Sequence, residues 1–156
     1  MRLERMSPAE YEVWSDRSRA LYARDKARAN DISQEAAEKI AKADFERLLS
    51  NGLASEHSHL FVAKADDQKI VGYLWLLERG PESDRRGYVG DVIIEEEQRG
   101  KGYGRKIMEL AEFEVRKLGH KKIGLHVFGY NTPAIRLYES LGYVTTDLVM
   151  EKNLTV

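Results

Sequence analysis

Apolar positions along the chain change period several times, and each change marks an element. Tyr11, Trp14, Ser18, Leu21 and Tyr22 share one face of a helix that runs to about Ala27. It opens at Ser7-Pro8-Ala9-Glu10, which has the residues of a capping box with proline at the first helical position. Ser33 can cap a second helix, with Ala37, Ile40, Ala41, Phe45, Leu48 and Leu49 as its stripe and Asn51-Gly52 as its stop. The period then shortens to that of a strand. His59–Ala65 and Ile70–Leu77 are separated only by the turn residues Asp66-Asp67-Gln68 and an adjoining lysine, which predicts a hairpin. Tyr88–Ile94 is the next strand. Helical spacing returns at Ile107, Leu110, Ala111, Val115 and Leu118, and ends at Gly119 after Arg116 and Lys117. Lys122–Phe128 predicts a strand, Thr132 to about Leu141 a short helix closed by Gly142, and Tyr143–Lys152 a last strand. Arg2–Met6 is a short strand at the start.

From Tyr88 onward the order is strand, helix, strand, helix, strand. Strands joined by a helix run parallel, whereas the earlier hairpin is antiparallel. The pattern therefore predicts an α/β fold with a mixed sheet flanked by helices. At 156 residues, without repeats or low-complexity tracts, residues 1–156 read as one domain.

Composition narrows the chemistry. A net charge of −1 gives no overall field for nucleic acid or an anionic membrane, so any basic site must be local. The absence of cysteine removes disulfides, thiolate nucleophiles and thiolate metal sites. His57 and His59 read as an ordinary surface pair, and no metal site is expected. No window is apolar enough to span a membrane and the first residues lack a signal-peptide pattern, so a cytoplasmic location is the expectation.

The most informative stretch joins Val92-Ile93-Ile94 to the third helix. After Glu95-Glu96-Glu97-Gln98 comes Arg99-Gly100-Lys101-Gly102-Tyr103-Gly104-Arg105. The amides of a first helical turn have no intrahelical acceptor, and the helix dipole adds positive charge there. Glycines leave room for a bulky anion, and Arg99 and Lys101 add full charges. This is a phosphate or pyrophosphate cradle. It lacks the Gly-Lys-Ser/Thr of a P-loop, and its glycines do not follow the dinucleotide spacing. It does fit Arg-x-x-Gly-x-Gly, at Arg99, Gly102 and Gly104.

A second group lies about thirty residues on. The strand Leu125-His126-Val127 is followed by Asn131, Ala134, Leu137-Tyr138 and Leu141-Gly142-Tyr143. The two groups in this order resemble the signatures of the GNAT superfamily of N-acetyltransferases, over roughly Leu60 to Leu154. The resemblance implies the acyl-coenzyme A N-acyltransferase fold, with two parallel strands splayed around the coenzyme. It implies acetyl-coenzyme A as co-substrate and direct attack by a primary amine, on a small molecule or a protein. By the same resemblance the loop from Arg99 to Arg105 holds the pyrophosphate. The backbone of Val92, Ile93 and Ile94 pairs with the pantetheine arm. Asn131, Ala134 and Tyr138 approach the coenzyme from the other side. A homodimer stays open, and neither nucleic acid nor membrane is an expected partner.

Two residues carry the expected catalysis. Tyr138 stands where the family often places the acid that protonates the leaving thiolate. Many relatives carry a glutamate base on the fourth strand; here that position is Gly90, followed by Asp91. Asp91 is the substitute base, directly or through a water, and a substrate-binding or structural carboxylate is its other reading. His126 is a weaker candidate, and Glu95, Glu96 and Glu97 read as solvated turn acids. Trp14, Tyr22, Arg24, Lys26 and Arg28 would suit an acceptor with a carboxylate or phosphate beside its amine, or form an outer surface. The missing glutamate also leaves room for a non-catalytic acyl-coenzyme A-binding module.

Overall fold

A computed structural model describes residues 1–155. Four strands come from the expected segments: β1 Arg2–Arg5, β2 Ser58–Lys64, β3 Ile70–Arg79 and β4 Arg86–Ile94. β5 is shorter than expected and covers only Ile123–Leu125. The helices are α1 Pro8–Asn30, α2 Gln34–Leu48, α3 Tyr103–Lys117 and α4 Thr132–Ser140. The sheet order is β1-β2-β3-β4-β5. β1 to β4 are antiparallel, and β5 pairs parallel to β4.

Alternation sorts the strand residues onto two faces. Leu60, Val62, Tyr73, Trp75, Leu77 and Ile93 pack with Trp14 of α1 and with Phe45 and Leu49 beneath α2. Phe61, Ala63, Leu74, Leu76 and Val89 pack with Ile107, Met108, Ala111 and Val115 of α3. Each layer thus excludes water from one side of the sheet. α1 and α2 meet through Ala23, Ala37 and Ala41, all fully buried, whose small side chains allow close approach.

The capping box is formed as the sequence implies. Ser7 Oγ accepts from the Glu10 amide at 3.2 Å, and the Ser7 amide donates to Glu10 at 2.8 Å. α1 continues past Ala27 to Asn30, because Asp31 takes the left-handed conformation and closes it there.

Tyr143–Lys152 does not form the expected strand. The chain from Val144 to Thr155 joins no strand, and its apolar side chains are exposed. The β propensity is present, but no neighbouring edge within the chain receives it. β5 is short because its pairing with β4 ends at Val89 opposite Leu125.

Candidate functional site

The site begins where β4 and β5 part. Their parallel pairing stops at Val89 opposite Leu125. Beyond it Asp91–Ile94 continue along β3 only, and residues 126–131 lead away to α4. A cleft opens between the two strands, with Val92 and Ile94 packing toward α3 and Ile93 toward α1.

A bulge in β4 stands at the floor of this cleft. Asp91 lies opposite Trp75 and Val89 opposite Leu76, so Gly90 has no partner in the ladder. The extra residue turns Asp91 toward α1. There its carboxylate accepts from Trp14 Nε1 at 3.1 Å and Ser18 Oγ at 2.5 Å. Burial pushes the Asp91 carboxyl above its ordinary pKa, although the Ser18 and Trp14 hydrogen bonds oppose the rise. Gly90 itself has no room for a side chain, because a Cβ would stand 2.7 Å from Trp75.

At the open end of β4, a 3-10 turn over Glu96–Gln98 leads into the glycine loop. Gly100 and Gly102 adopt φ values of +74° and +81°, which glycine takes without the strain of a Cβ. Gly102 is the N-cap of α3 and brings no capping side chain. Among the described residues, no backbone acceptor meets the amides of Gly100 to Arg105. A Cβ on Gly100 or Gly102 would meet nothing within 4 Å, so the space over the loop is open. Lys101 bonds Gln98 Oε1 at 3.2 Å, and Arg105 reaches Ser140 of α4. Arg99 Nε donates to the Ile94 carbonyl at 3.3 Å and stays exposed. Open amides, glycine surfaces and flexible cations fit a diphosphate.

α4 forms the opposite wall. Asn131 caps it, its side chain accepting from the Ala134 amide at 3.4 Å, so one polar atom expected to meet the coenzyme already serves the helix. Tyr138 packs on the α3 side of the sheet, 5.9 Å from the Tyr143 ring, and its hydroxyl has no protein partner among the described residues. Burial raises the Tyr138 pKa, and the Asp91 charge raises it further. Tyr138 packs on the α3 side of the sheet, whereas the Asp91 carboxylate is turned to α1.

Several sequence readings change. Glu95 is no solvated acid: Arg17 holds both its oxygens, at 2.8 and 3.0 Å, tying α1 to the end of β4. The solvated reading holds for Glu96 and Glu97, both exposed. Trp14 is fully buried and lines no outer acceptor surface. His126 lies beyond the end of β5, edge-on to Phe128, and burial lowers its pKa. Arg28 stacks over the Tyr130 ring at 3.8 Å. With Arg24, Asp25, Asn131 and Pro133 it lines a cavity of about 600 Å³.

A second polar group lies elsewhere, at the far end of β3. Glu78 meets His59 at 2.8 Å and His120 at 2.6 Å, with His57 at 3.9 Å. The surface pair of the sequence is thus part of a three-histidine cluster. The distant His120 left no local signal of this. No group of three or more His, Asp or Glu among the described residues could hold a metal ion.

The comparisons with known proteins agree with the fold. The uncharacterized N-acetyltransferase YycN of Bacillus subtilis (strain 168) is 35% identical over 133 residues, 85% of each chain. The crystal structure of YycN superposes with a TM-score of 0.93 over 99% of both chains, at 32% identity. The aminoglycoside N-acetyltransferase AAC(6')-Iy, in complex with CoA, shares the fold with a TM-score of 0.61 at 16% identity. No helix among the described residues is long and apolar enough to cross a membrane. The model of the acetyltransferase (GNAT) family matches residues 11–143, and the chain belongs to that family, whose members transfer an acyl group from acyl-coenzyme A.

Proposed function

We propose that residues 1–156 form one N-acetyltransferase domain that acetylates a primary amine in a ternary complex with acetyl-coenzyme A. The observation that carries this reading is the glycine loop itself. Its amides from Gly100 to Arg105 meet no backbone acceptor among the described residues, and it follows directly on the part of β4 that has left β5.

Acetyl-coenzyme A supplies an activated thioester carbonyl and a thiolate leaving group. The residues of this chain do the rest. The loop from Arg99 to Arg105 binds the diphosphate through its amides. The backbone of Val92, Ile93 and Ile94 orients the arm as an added strand would, and an amide there donates to the developing oxyanion. Asn131 and Ala134 border the other side. Tyr138 keeps its proton at neutral pH because its pKa is raised, and delivers it to the departing sulfur. Asp91, whose carboxylate also accepts from Trp14, Ser18 and the Val92 amide, takes the proton of the incoming ammonium through a water. Its raised pKa brings it closer to the operating pH than an ordinary aspartate.

The amine enters from the α1 side. Arg24 and Arg28 border the cavity there. They suit an acceptor that carries a carboxylate or phosphate near its amine.

The test has two arms. Calorimetry should show coenzyme A binding, and Gly102→Val should abolish it by filling the loop and straining a positive φ. An acetyl-coenzyme A consumption screen over amines should show turnover. Absence of coenzyme heat at millimolar ligand would remove the proposal.

A further inference from the structure

Ser18 is a polar residue on the apolar face of α1, and it is only 3% exposed. A serine there gives up the burial of an apolar side chain and favours the helix less than alanine would. Buried hydroxyls in stable folds are paired. The partner of this one lies across the layer on β4, where Ser18 Oγ donates to Asp91 Oδ2 at 2.5 Å. One helical turn earlier, Trp14 Nε1 donates to the same oxygen at 3.1 Å. Arg17, between them, holds Glu95 at the end of β4. Positions i, i+3 and i+4 of one helix face thus grip two carboxylates of the same stretch.

Convergence on Oδ2 has a chemical consequence. A carboxylate oxygen offers about two lone-pair sites. Ser18 and Trp14 engage both on Oδ2, so a proton arriving at the carboxyl goes to Oδ1. Two bonds to one rigid helix also hold the side chain in one orientation. We infer that Ser18 is a positioning residue for the reaction: its hydroxyl holds the Asp91 carboxylate so that Oδ1 receives the proton of the incoming amine. The inference rests on Asp91 being the base.

The same bond sets the working range in pH. Burial raises the Asp91 pKa, and Ser18 opposes that rise more strongly than Trp14, the Val92 amide or the Arg17 charge. The charged and titratable neighbours on the packed elements are Arg17 of α1, which carries Glu95 with it, and Tyr138 of α4, whose own pKa the Asp91 charge raises. All three are retained when Ser18 loses only its hydroxyl. The Asp91 pKa then rises, and the acid limb of the rate moves to higher pH.

Ser18→Ala in the full chain should move the acid limb of kcat/KM up by roughly 1–2 pH units, the size expected of one hydrogen bond to a carboxylate. The Asp91 carboxyl carbon, assigned by its absence in Asp91→Asn, should titrate higher by the same amount in carbon-13 NMR. Ser18→Thr keeps the hydroxyl and should return both midpoints toward wild type. Coenzyme A affinity by calorimetry should stay at the wild-type value, which reports an intact loop. A carboxyl titration that stays in place in Ser18→Ala would overturn the inference, and a rate lowered equally at every pH would then make Ser18 a packing residue of α1. A carboxyl titration that moves while the rate limb does not would remove Asp91 as the base, and the inference would fall with that reading.

Discussion

The Trp75 indole occupies the volume that a side chain on Gly90 would need, with an ideal Cβ only 2.7 Å from Trp75 Cδ2. This gives the absent strand glutamate a physical reason. The bulge at Gly90 turns this position toward the α1 layer, and Trp75, packed against Trp14 and Phe45, fills it. Gly90→Ala should destabilise the fold by about 1–3 kcal/mol through overpacking. Gly90→Glu should cost more and restore no catalytic base. Denaturant midpoints measure the first effect and turnover the second. Full stability with higher activity in Gly90→Glu would mean that Trp75 yields.

Tyr138→Phe isolates the proposed acid. The ring packing is kept and only the hydroxyl, which has no protein partner among the described residues, is lost. Turnover should fall by ~10² or more, with coenzyme affinity unchanged. The pH dependence has a defined sign. A phenol pKa raised above 10 keeps the proton on through the neutral range, so wild-type rate should fall on this account only above pH 10. That high-pH fall should vanish in the phenylalanine variant.

For Asp91 the expected limb lies on the acid side. A base must lose its proton to act, and burial sets the Asp91 pKa above 3.8. Rate should therefore rise with pH through a value above 3.8 and then level off. Asp91→Asn keeps an oxygen to accept from Trp14 and Ser18, so α1 should stay docked. Turnover should fall by ~10² and the acid limb should disappear. A variant with the limb intact would make Asp91 a structural anchor of α1, the role its two bonds already serve.

What the sequence reveals and what it hides follow from the range of the interactions. The glycine loop, the capping box and the hairpin are set by neighbours a few residues apart, and all are legible. The α/β order and the parallel β4–β5 pair follow from chain connectivity. Arg17 holding Glu95, Trp14 and Ser18 holding Asp91, and His120 joining Glu78 each join residues far apart in the chain. No local pattern encodes them. The last strand fails for a related reason. Residues 144–152 have the right composition, but pairing depends on contacts with a strand elsewhere in the chain, which composition does not report.

Arg24→Glu with Arg28→Glu probes the acceptor side. Loss of charge-assisted bonds to an anionic acceptor, at ~1.5–3 kcal/mol each, should raise KM at least tenfold for amines bearing a carboxylate or phosphate. Uncharged amines should be affected little, since neither arginine touches the Tyr138 side of the cleft. Equal KM values for both classes in the variant would assign these residues to the outer surface.

Glu78→Gln gives a prediction about stability that is separate from catalysis. Burial favours the protonated carboxyl, but hydrogen bonds from His59 and His120 outweigh it and hold the Glu78 pKa below 4.5. A depressed carboxylate pKa stabilises the fold above its unfolded value, and that stabilisation is lost as pH falls through the folded value. The two contacts of 2.8 and 2.6 Å are of the charge-assisted kind. Replacing the carboxylate should thus cost about 1–3 kcal/mol at pH 6–7. The gap between wild type and Glu78→Gln should begin to close below about pH 4.5 and keep narrowing as the pH falls further. Urea unfolding at pH 7, 5 and 3 measures it. A gap independent of pH would mean that geometry, and not the carboxylate charge, holds the three histidines together.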